Sequence, residues 1–537
     1  MRWLIVLGMA APLVAQIGRV DTIGGTTYDW WYGGPVYRFI TNAPDYGIHA
    51  TWIASATGSP FPDRNMRYNF YDYTANTWNW IDPDFMASGM NVFTERSGFG
   101  SLDCDPVTQV AVVSAHTGTG PLHPIVARDI EPGAGIFEYC AGPEGFLWPP
   151  IAVGQNRTIH CAMIDETTRG QLWYSRIVSW CNWDPPVRIS GTGGPDPGFP
   201  CHNIAASKVS QQVVIAWTNS EGYYCDTGYY RISTDGGTTW QATETLPPPP
   251  AFGPDTLASF DTGLFPYFDR HDRLHIVADV MPIVQGIGYI MPAEIWHWCP
   301  DNAPNWSRIH RAGCDPAHLL APVGYNALYA CRPSIGEDRF GGLYVTWEQF
   351  DSLNVEPRTN LVRADIFYAQ DSGNNGSGWQ PAVKLTPTDT ISYRFPCVMD
   401  YLSQDTLCVE YLADSCAGFY VQGQGPVTLN PVLVQFVGVQ TGIGEEKQER
   451  LAGPGLTVTP TLVRGRMVLS YTLPISGPVR LALYDPAGRA VAVLTDGFQA
   501  AGRHKANWNT DRLPSGVYLA RLETENGSLS RRLVVIR

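Results

Sequence analysis

The chain has 537 residues, 44% of them hydrophobic and only 16% charged, with 18 Trp, 26 Tyr, 54 Gly and 43 Pro. Aromatic residues punctuated by Gly and Pro favour short strands joined by turns, and long Ala/Leu/Glu/Lys stretches are missing, so the expected class is all-β with more than one domain. The net charge of −14 argues against nucleic acid, whose binding needs clustered Lys and Arg facing phosphates.

Met1-Arg2-Trp3 leads into an apolar run from Leu4 to Ala15, followed by Gln16. A short basic start, about a dozen apolar residues and a small residue at the end predict a secretory signal over 1–15. The run falls short of the roughly 20 residues that span a bilayer, and no later segment is long and apolar enough, so no transmembrane segment is expected.

From residue 29 to 440 the chain repeats. A proline entering an apolar strand recurs at Trp148-Pro149-Pro150-Ile151, Phe199-Pro200-Cys201, Phe265-Pro266-Tyr267, Arg332-Pro333-Ser334 and Phe395-Pro396-Cys397. Pro35-Val36-Tyr37 is an earlier copy, and the segment near Phe99 a degraded one. About ten residues after each copy comes a nearly continuous apolar strand, at 48–52, 110–114, 159–163, 213–217, 274–278, 343–347 and 407–411. Such runs suit strands buried on both faces. An aromatic third strand follows in five copies, and a fourth opens with Trp78, Trp183, Trp240, Trp306 or Trp379. Short antiparallel strands in fours, at a period of some tens of residues, predict a β-propeller, with seven blades favoured and six possible.

Between the third and fourth strands of one copy stands Ser233-Thr234-Asp235-Gly236-Gly237-Thr238-Thr239-Trp240. Ser233 and Asp235 can hydrogen-bond the turn's backbone, Gly237 can take a positive φ, Thr239 follows, and Trp240 is expected to pack between sheets. This segment resembles the Asp-box of sialidase-like and BNR-repeat propellers, with a weaker echo from Asp371 to Trp379. The resemblance implies a propeller fold and a structural turn, not catalysis.

The 12 cysteines all lie between Cys104 and Cys416, an even count that permits disulfides in an exported chain. Cys161/Cys181 and Cys201/Cys225 are close enough in sequence to bridge neighbouring strands. No Cys-x-x-Cys pair occurs and the 11 His are scattered, so neither a metal site nor a cofactor is expected; the Asp103-Cys104-Asp105 series is too short for calcium.

A polar, charged stretch at 441–452 reads as a linker. Beyond it, residues 453–537 show period-two strands and tight turns, the pattern of an immunoglobulin-like sandwich. This part carries 11 Lys/Arg against 5 Asp/Glu, leaving a net −20 on the rest. Tyr484-Asp485-Pro486-Ala487-Gly488-Arg489, then Leu513-Pro514-Ser515-Gly516-Val517-Tyr518, then Arg531-Arg532-Leu533-Val534 follow in order. They resemble the type A C-terminal sorting domain of the type IX secretion system. Its usual Tyr-Pro-Asn-Pro-like opening is replaced by Thr457-Val458-Thr459-Pro460, and the 501–504 segment is also similar to the domain of flagellar hook-capping proteins. The resemblance implies partnership with the secretion machinery, passage across the outer membrane, and release or attachment at the cell surface.

The sialidase resemblance implies three arginines for a substrate carboxylate, a Tyr/Glu pair and an Asp acid. Arg38, Arg332 and Arg394 are the candidate anion-binding arginines, because the planar guanidinium pairs bidentately with carboxylate. Ion pairs with nearby carboxylates are the alternative. Asp45, Asp269, Asp272, Glu337, Asp338, Glu348 and Glu410 sit near inner strand ends, and sequence alone selects no catalytic residue among them. Three functions stay open: a non-catalytic glycan- or protein-binding propeller, a sialidase-type glycoside hydrolase, and a structural envelope or matrix protein.

Overall fold

The computed structural model describes residues 17–191, 196, 201–219, 227–253, 256–313, 322–371, 373, 375–403, 405–439, 455–459, 462–473, 477–486, 488–499, 502–510, 513–524 and 527–536. Two compact units divide the chain, Met1–Ile443 and Gly444–Arg537. The 441–452 stretch and the 1–15 segment lie outside the described residues.

The first unit is a ring of seven antiparallel sheets, a β-propeller. The innermost strands are, in chain order, Ile40–Ala43, Leu102–Cys104, Ile151–Val153, His202–Ala206, Leu257–Phe268, Ala330–Glu337 and Ser392–Val398. Hydrogen bonds join neighbours around the ring, among them Leu102 N–H to Arg38 C=O, Ile151 N–H to Ser101 Oγ, Arg332 N–H to Asp279 and Val398 N–H to Ser334 Oγ. Closure comes from Arg19–Thr26, which pairs with Asn430–Gly438 as the outermost strand of the seventh blade. The expected start at residue 29 is thus ten residues late. Arg19–Thr26 hides from sequence reading because its Gly24 must stay bare: a Cβ there would lie 2.0 Å from the Trp52 ring.

At three of its copies the recurring proline marks a bulge, whereas Pro266 pairs in regular register with Ile276. Trp148, Arg332 and Phe395, each followed by Pro, have φ of +50°, +56° and +56°, and strand register breaks between Cys331 and Ser334 and between Arg394 and Cys397. Proline offers no N–H to the ladder, so it fits where pairing lapses. Pro200 lies outside the described residues. The second strands carry the core, with Trp52, Trp217 and Trp347 fully buried within them.

The 233–240 turn is tied by its own side chains. Gly237 N–H donates to Ser233 Oγ (2.8 Å), and Thr239 N–H and Oγ1 donate to Asp235 (2.8 and 2.6 Å). Those bonds hold the Asp235 carboxyl down to about 2. Trp240 packs edge-on against Tyr174 of the preceding blade at 4.8 Å. Similar turns stand at Asp129, which accepts from Gly135 and Ile136 N–H, and at Asp371, which accepts from Gly376 and Gly378 N–H. The blades before these three turns share another feature: His49–Tyr68 and His160–Tyr174 hydrogen bonds of 2.7 Å, and His275–His297 of 2.8 Å.

Among the described residues a disulfide joins Cys140 to Cys181, outer edge of blade two to a turn of blade three. It replaces the Cys161/Cys181 pairing considered above. Strand alternation sends Cys161 into the interblade core, where it is fully buried, whereas Cys181 sits on a turn at φ +62°. Cys225 lies outside the described residues.

The second unit is a two-sheet sandwich. Gly455–Thr459, Arg466–Leu473 and Gly502–Asn509 form one sheet; Leu462–Val463, Gly527–Val535, Gly516–Thr524, Gly477–Tyr484 and Ala490–Gln499 form the other. Leu469, Leu481, Leu522 and Leu533 fill the space between them. In the 485–489 turn Arg489 N–H and Nε both bond Asp485 at 2.9 Å, and Gly488 has φ +78°. Gly516 opens its strand, the buried Tyr518 donates its hydroxyl to Pro514 C=O (2.9 Å), and Arg531 and Arg532 are exposed on the last strand.

Candidate functional site

Arg38, Arg332 and Arg394 do not share a pocket. Arg332 and Arg394 meet at Glu348 in the core, with contacts of 2.6 and 3.0 Å, and Phe395 N–H donates to the same carboxylate at 2.8 Å. All three side chains are nearly or wholly buried. Burial works against the charge on Glu348, yet Arg394 and Arg332 outweigh it and hold the carboxyl down to about 2. Arg38 instead donates to the carbonyls of Val398 (3.0 Å) and Ile335 (3.1 Å).

The acids scatter too. Asp338 accepts the N–H groups of Phe340 and Gly342, Asp272 accepts from Ser210 and Gln212, and Asp45 from Gln109. Asp269 binds Arg273 at 2.6 Å. Asp103 and Asp105 are taken by Lys208 and Arg157, both at 2.8 Å. Glu410 is buried with neither oxygen bonded.

Segments leading into the inner strands gather at one mouth of the ring, the front; segments leaving them gather at the back. Arg38, Asp103, Asp105, Asp269 and Glu337 line a back cavity of about 320 Å³ in which both signs of charge occur. A front cavity of about 280 Å³ is lined quite differently. Trp30, Trp31 and Tyr32 approach it from the segment before blade one, and Trp148 from the bulge before blade three. Arg64, Arg96 and Arg169 bring three guanidiniums to it. Among the described residues, no Asp or Glu lines this cavity, and none of the three arginines makes an ion pair.

The arginines are placed rather than floating. Arg64 is buried, donates Nε to Ser97 C=O at 3.0 Å, and lies 4.7 Å over the Phe99 ring. Arg96 donates Nε to Phe61 C=O at 2.9 Å, and Arg169 lies 5.9 Å over Trp148. Both of the latter residues are exposed. Between them stands His116, stacked on Phe99 at 5.3 Å. Burial first, then Arg64, Arg96 and Arg169, push its imidazole down to about 3. Trp148 N–H donates to Nδ1 at 3.1 Å, so the neutral ring carries its proton on Nε2 and offers a donor.

Aromatic faces, three unpaired guanidiniums and a donor imidazole suit a ligand with apolar faces and an anionic group. Hydrolysis of the usual glycosidic kind uses two carboxyl groups, which this lining lacks. Sequence reading missed these arginines because they stand in unrelated loops of three blades, without a common motif.

A search of curated proteins gives no match. Among solved structures the chain is similar to polysaccharide lyase Uly1, with 10% identity and a TM-score of 0.41 over 80% of this chain and 100% of that one. It is also similar to the α-L-arabinanase of Penicillium chrysogenum complexed with arabinobiose (9%, TM-score 0.38, 79% and 98%). A Hadza microbial sialidase is a further case (12%, TM-score 0.35, 70% and 73%). Such likeness is loose, and the propeller stands on its own strand pairing. Residues 463–536 match the family model described as a secretion system C-terminal sorting domain. The chain therefore ends in a type IX sorting domain, and the protein is exported, either secreted or attached at the outer-membrane surface.

Proposed function

We propose that the exported propeller is a non-catalytic carbohydrate-binding protein whose front cavity holds a glycan bearing a carboxylate or sulfate. The observation that carries this reading is the convergence of Arg64, Arg96 and Arg169, which make no ion pair among the described residues, on an aromatic cavity that no described Asp or Glu lines. Guanidiniums left unpaired at a partly desolvated site repel one another until an anion arrives, and each charge-assisted bond then contributes about 1.5–3 kcal/mol. Flat Trp faces can stack on the apolar faces of sugar rings. Export fits a ligand met outside the cell. Within this reading, residues 1–15 are the export signal and the 233–240 segment is an Asp-box that stabilises a blade edge.

Calorimetric titration of the mature protein with matched neutral, uronic-acid-containing and sulfated oligosaccharides tests the reading, alongside a glycan array. Saturable binding of an anionic member is expected, with no change in the recovered sugar. Turnover of a sialoside would replace it with the hydrolase reading. Silence across the array would favour a structural envelope role.

A further inference from the structure

All three ordered motifs of the sorting domain converge on its five-stranded sheet. The 485–489 turn joins Gly477–Tyr484 to Ala490–Gln499, the 513–518 motif opens Gly516–Thr524, and the basic motif lies on Gly527–Val535. Among the described residues, Ala490–Gln499 pairs on one side only, with Gly477–Tyr484. Its backbone on the other side forms an open sheet edge ten residues long.

The strand is only partly protected as an open edge: two β-bulges interrupt its pairing with Gly477–Tyr484, between Thr495 and Val493 and between Ala492 and Ala490. Charged side chains, especially Lys, or Pro normally blunt one. Ala490–Gln499 has a single charge, Asp496, and exposes Val491, Val493 and Phe498, the last at 73%. Cross-strand pairing sets which residues share its outer face. Val493 pairs with Ala482 and Ala482 with Arg521; Tyr484 pairs with Leu519 and Leu519 with Arg532. Val493, Leu519 and Val517 therefore lie exposed on that face beside Arg521 and Arg532, and Phe498 stands further along it, beyond Asp496, which faces Arg480 at 4.0 Å. Residues from 453 onward carry a net charge of +6, against −20 on the rest.

We propose that Ala490–Gln499 is the strand by which the sorting domain docks: it accepts an added β-strand from an acidic component of the export machinery. An added strand satisfies the edge's free N–H and C=O groups, and side chains on its outward row meet the Phe498/Val493 surface. Arg532 selects an acidic partner over other exposed strands in the envelope, whereas Arg521 is already held by Glu523 at 3.2 Å. The basic character of this module makes a partner of opposite sign the fitting occupant. The proposal rests on the sorting assignment and not on the glycan reading.

The test uses the full chain expressed in an exporting cell. Val493→Asp/Phe498→Asp removes apolar contact and repels an acidic strand, while Lys505→Gln alters charge on the exposed part of the other sheet. Fractionation should show at least a tenfold fall in surface delivery for the double variant and none for Lys505→Gln. Normal delivery of the double variant overturns the proposal. Because that variant can misfold, a photo-crosslinking residue at Val493 of the otherwise unchanged chain gives a second reading. An adduct with an acidic envelope protein, absent when the probe is at Lys505, is expected. No adduct, or only one of twice the chain's own mass, overturns the proposal.

Discussion

The Tyr174 hydroxyl occupies the space that a side chain at residue 237 would need: a Cβ on Gly237 would lie 1.8 Å from it. That hydroxyl is the one bonded to His160 at 2.7 Å. The turn of blade four and the His–Tyr pair of blade three are thus one fitted contact. Gly376 repeats it, with a Cβ there 1.9 Å from the His297 ring.

Gly237→Ala should therefore destabilise the propeller without touching the front cavity. Gly237 has φ +79°, where Ala costs about 1–2 kcal/mol, and displacing the Tyr174 hydroxyl forfeits about 1 kcal/mol more. A loss of about 2–3 kcal/mol in urea unfolding is expected. Adding Tyr174→Phe should recover part of it, because the two changes remove one shared contact. Strict additivity in the double variant would show that the two sites do not meet.

Glu348 neutralises two buried arginines, so Glu348→Gln should be severe. Removing one member of a buried ion network strands the remaining charge and costs about 3–5 kcal/mol. Arg332 and Arg394 would both lose their carboxylate. The expected outcome is a large fall in unfolding midpoint together with unchanged oligosaccharide affinity in whatever fraction folds. A folded variant with wild-type stability but lost binding would instead return these arginines to a ligand site.

Much of this architecture is legible in the sequence, and for a physical reason. A blade's second strand is buried on both faces, so its apolar run survives as a clear signal at all seven positions. The third strands of blades two and seven, His123–Asp129 and Asn430–Gly438, lack the aromatic pattern of the others and escape notice. The closing strand escapes because its role requires glycines. The front site is illegible for another reason: Arg64, Arg96 and Arg169 are brought together by the packing of the first three blades around the ring, which no local pattern encodes. Arg38 and Arg394 share a Tyr-Arg-Phe context, but in Arg394 the bulge before Pro396 accompanies a turn into the core, while Arg38 lines the back cavity.

Stability should fall on mild acidification. His49 and His202 are pushed down to about 4 and His116 and His160 to about 3, in each case chiefly by burial. In the unfolded chain these rings take up protons near pH 6.5. The unfolded state then binds more protons, so the contribution is full above about pH 6.5 and is lost as pH falls toward the folded values. Urea midpoints measured from pH 7.5 to 4.5 should decline, and less steeply in His160→Gln. A profile identical in slope for that variant would exclude His160 as a contributor.

Glu410 should show the opposite sign. Burial raises its carboxyl well above the usual range, and neither oxygen has a hydrogen-bond partner. A raised acid leaves stability intact below about pH 4.3 and drains it as pH climbs toward the folded value. Glu410→Met keeps the volume and removes the titration. Its advantage over wild type should grow from pH 5 to pH 8, reaching on the order of 2 kcal/mol. A constant difference across that range would mean the side chain does not titrate there.

At the front cavity, Arg169→Ala and Arg96→Ala should each weaken an anionic oligosaccharide about tenfold, the equivalent of one modest charge-assisted bond. Both residues are exposed, so stability should hold. Binding should also weaken with added salt, since two of the three guanidiniums face solvent. His116 supplies a sharper check. Held down to about 3, it stays neutral with its proton on Nε2 from pH 5 to 8, so affinity should be flat across that range. An imidazole of ordinary basicity would add a positive charge below pH 6.5 and tighten anion binding there. Calorimetry at pH 5 and pH 8 separates the cases, and a tenfold gain at pH 5 that disappears in His116→Gln would show that the arginines do not govern this histidine.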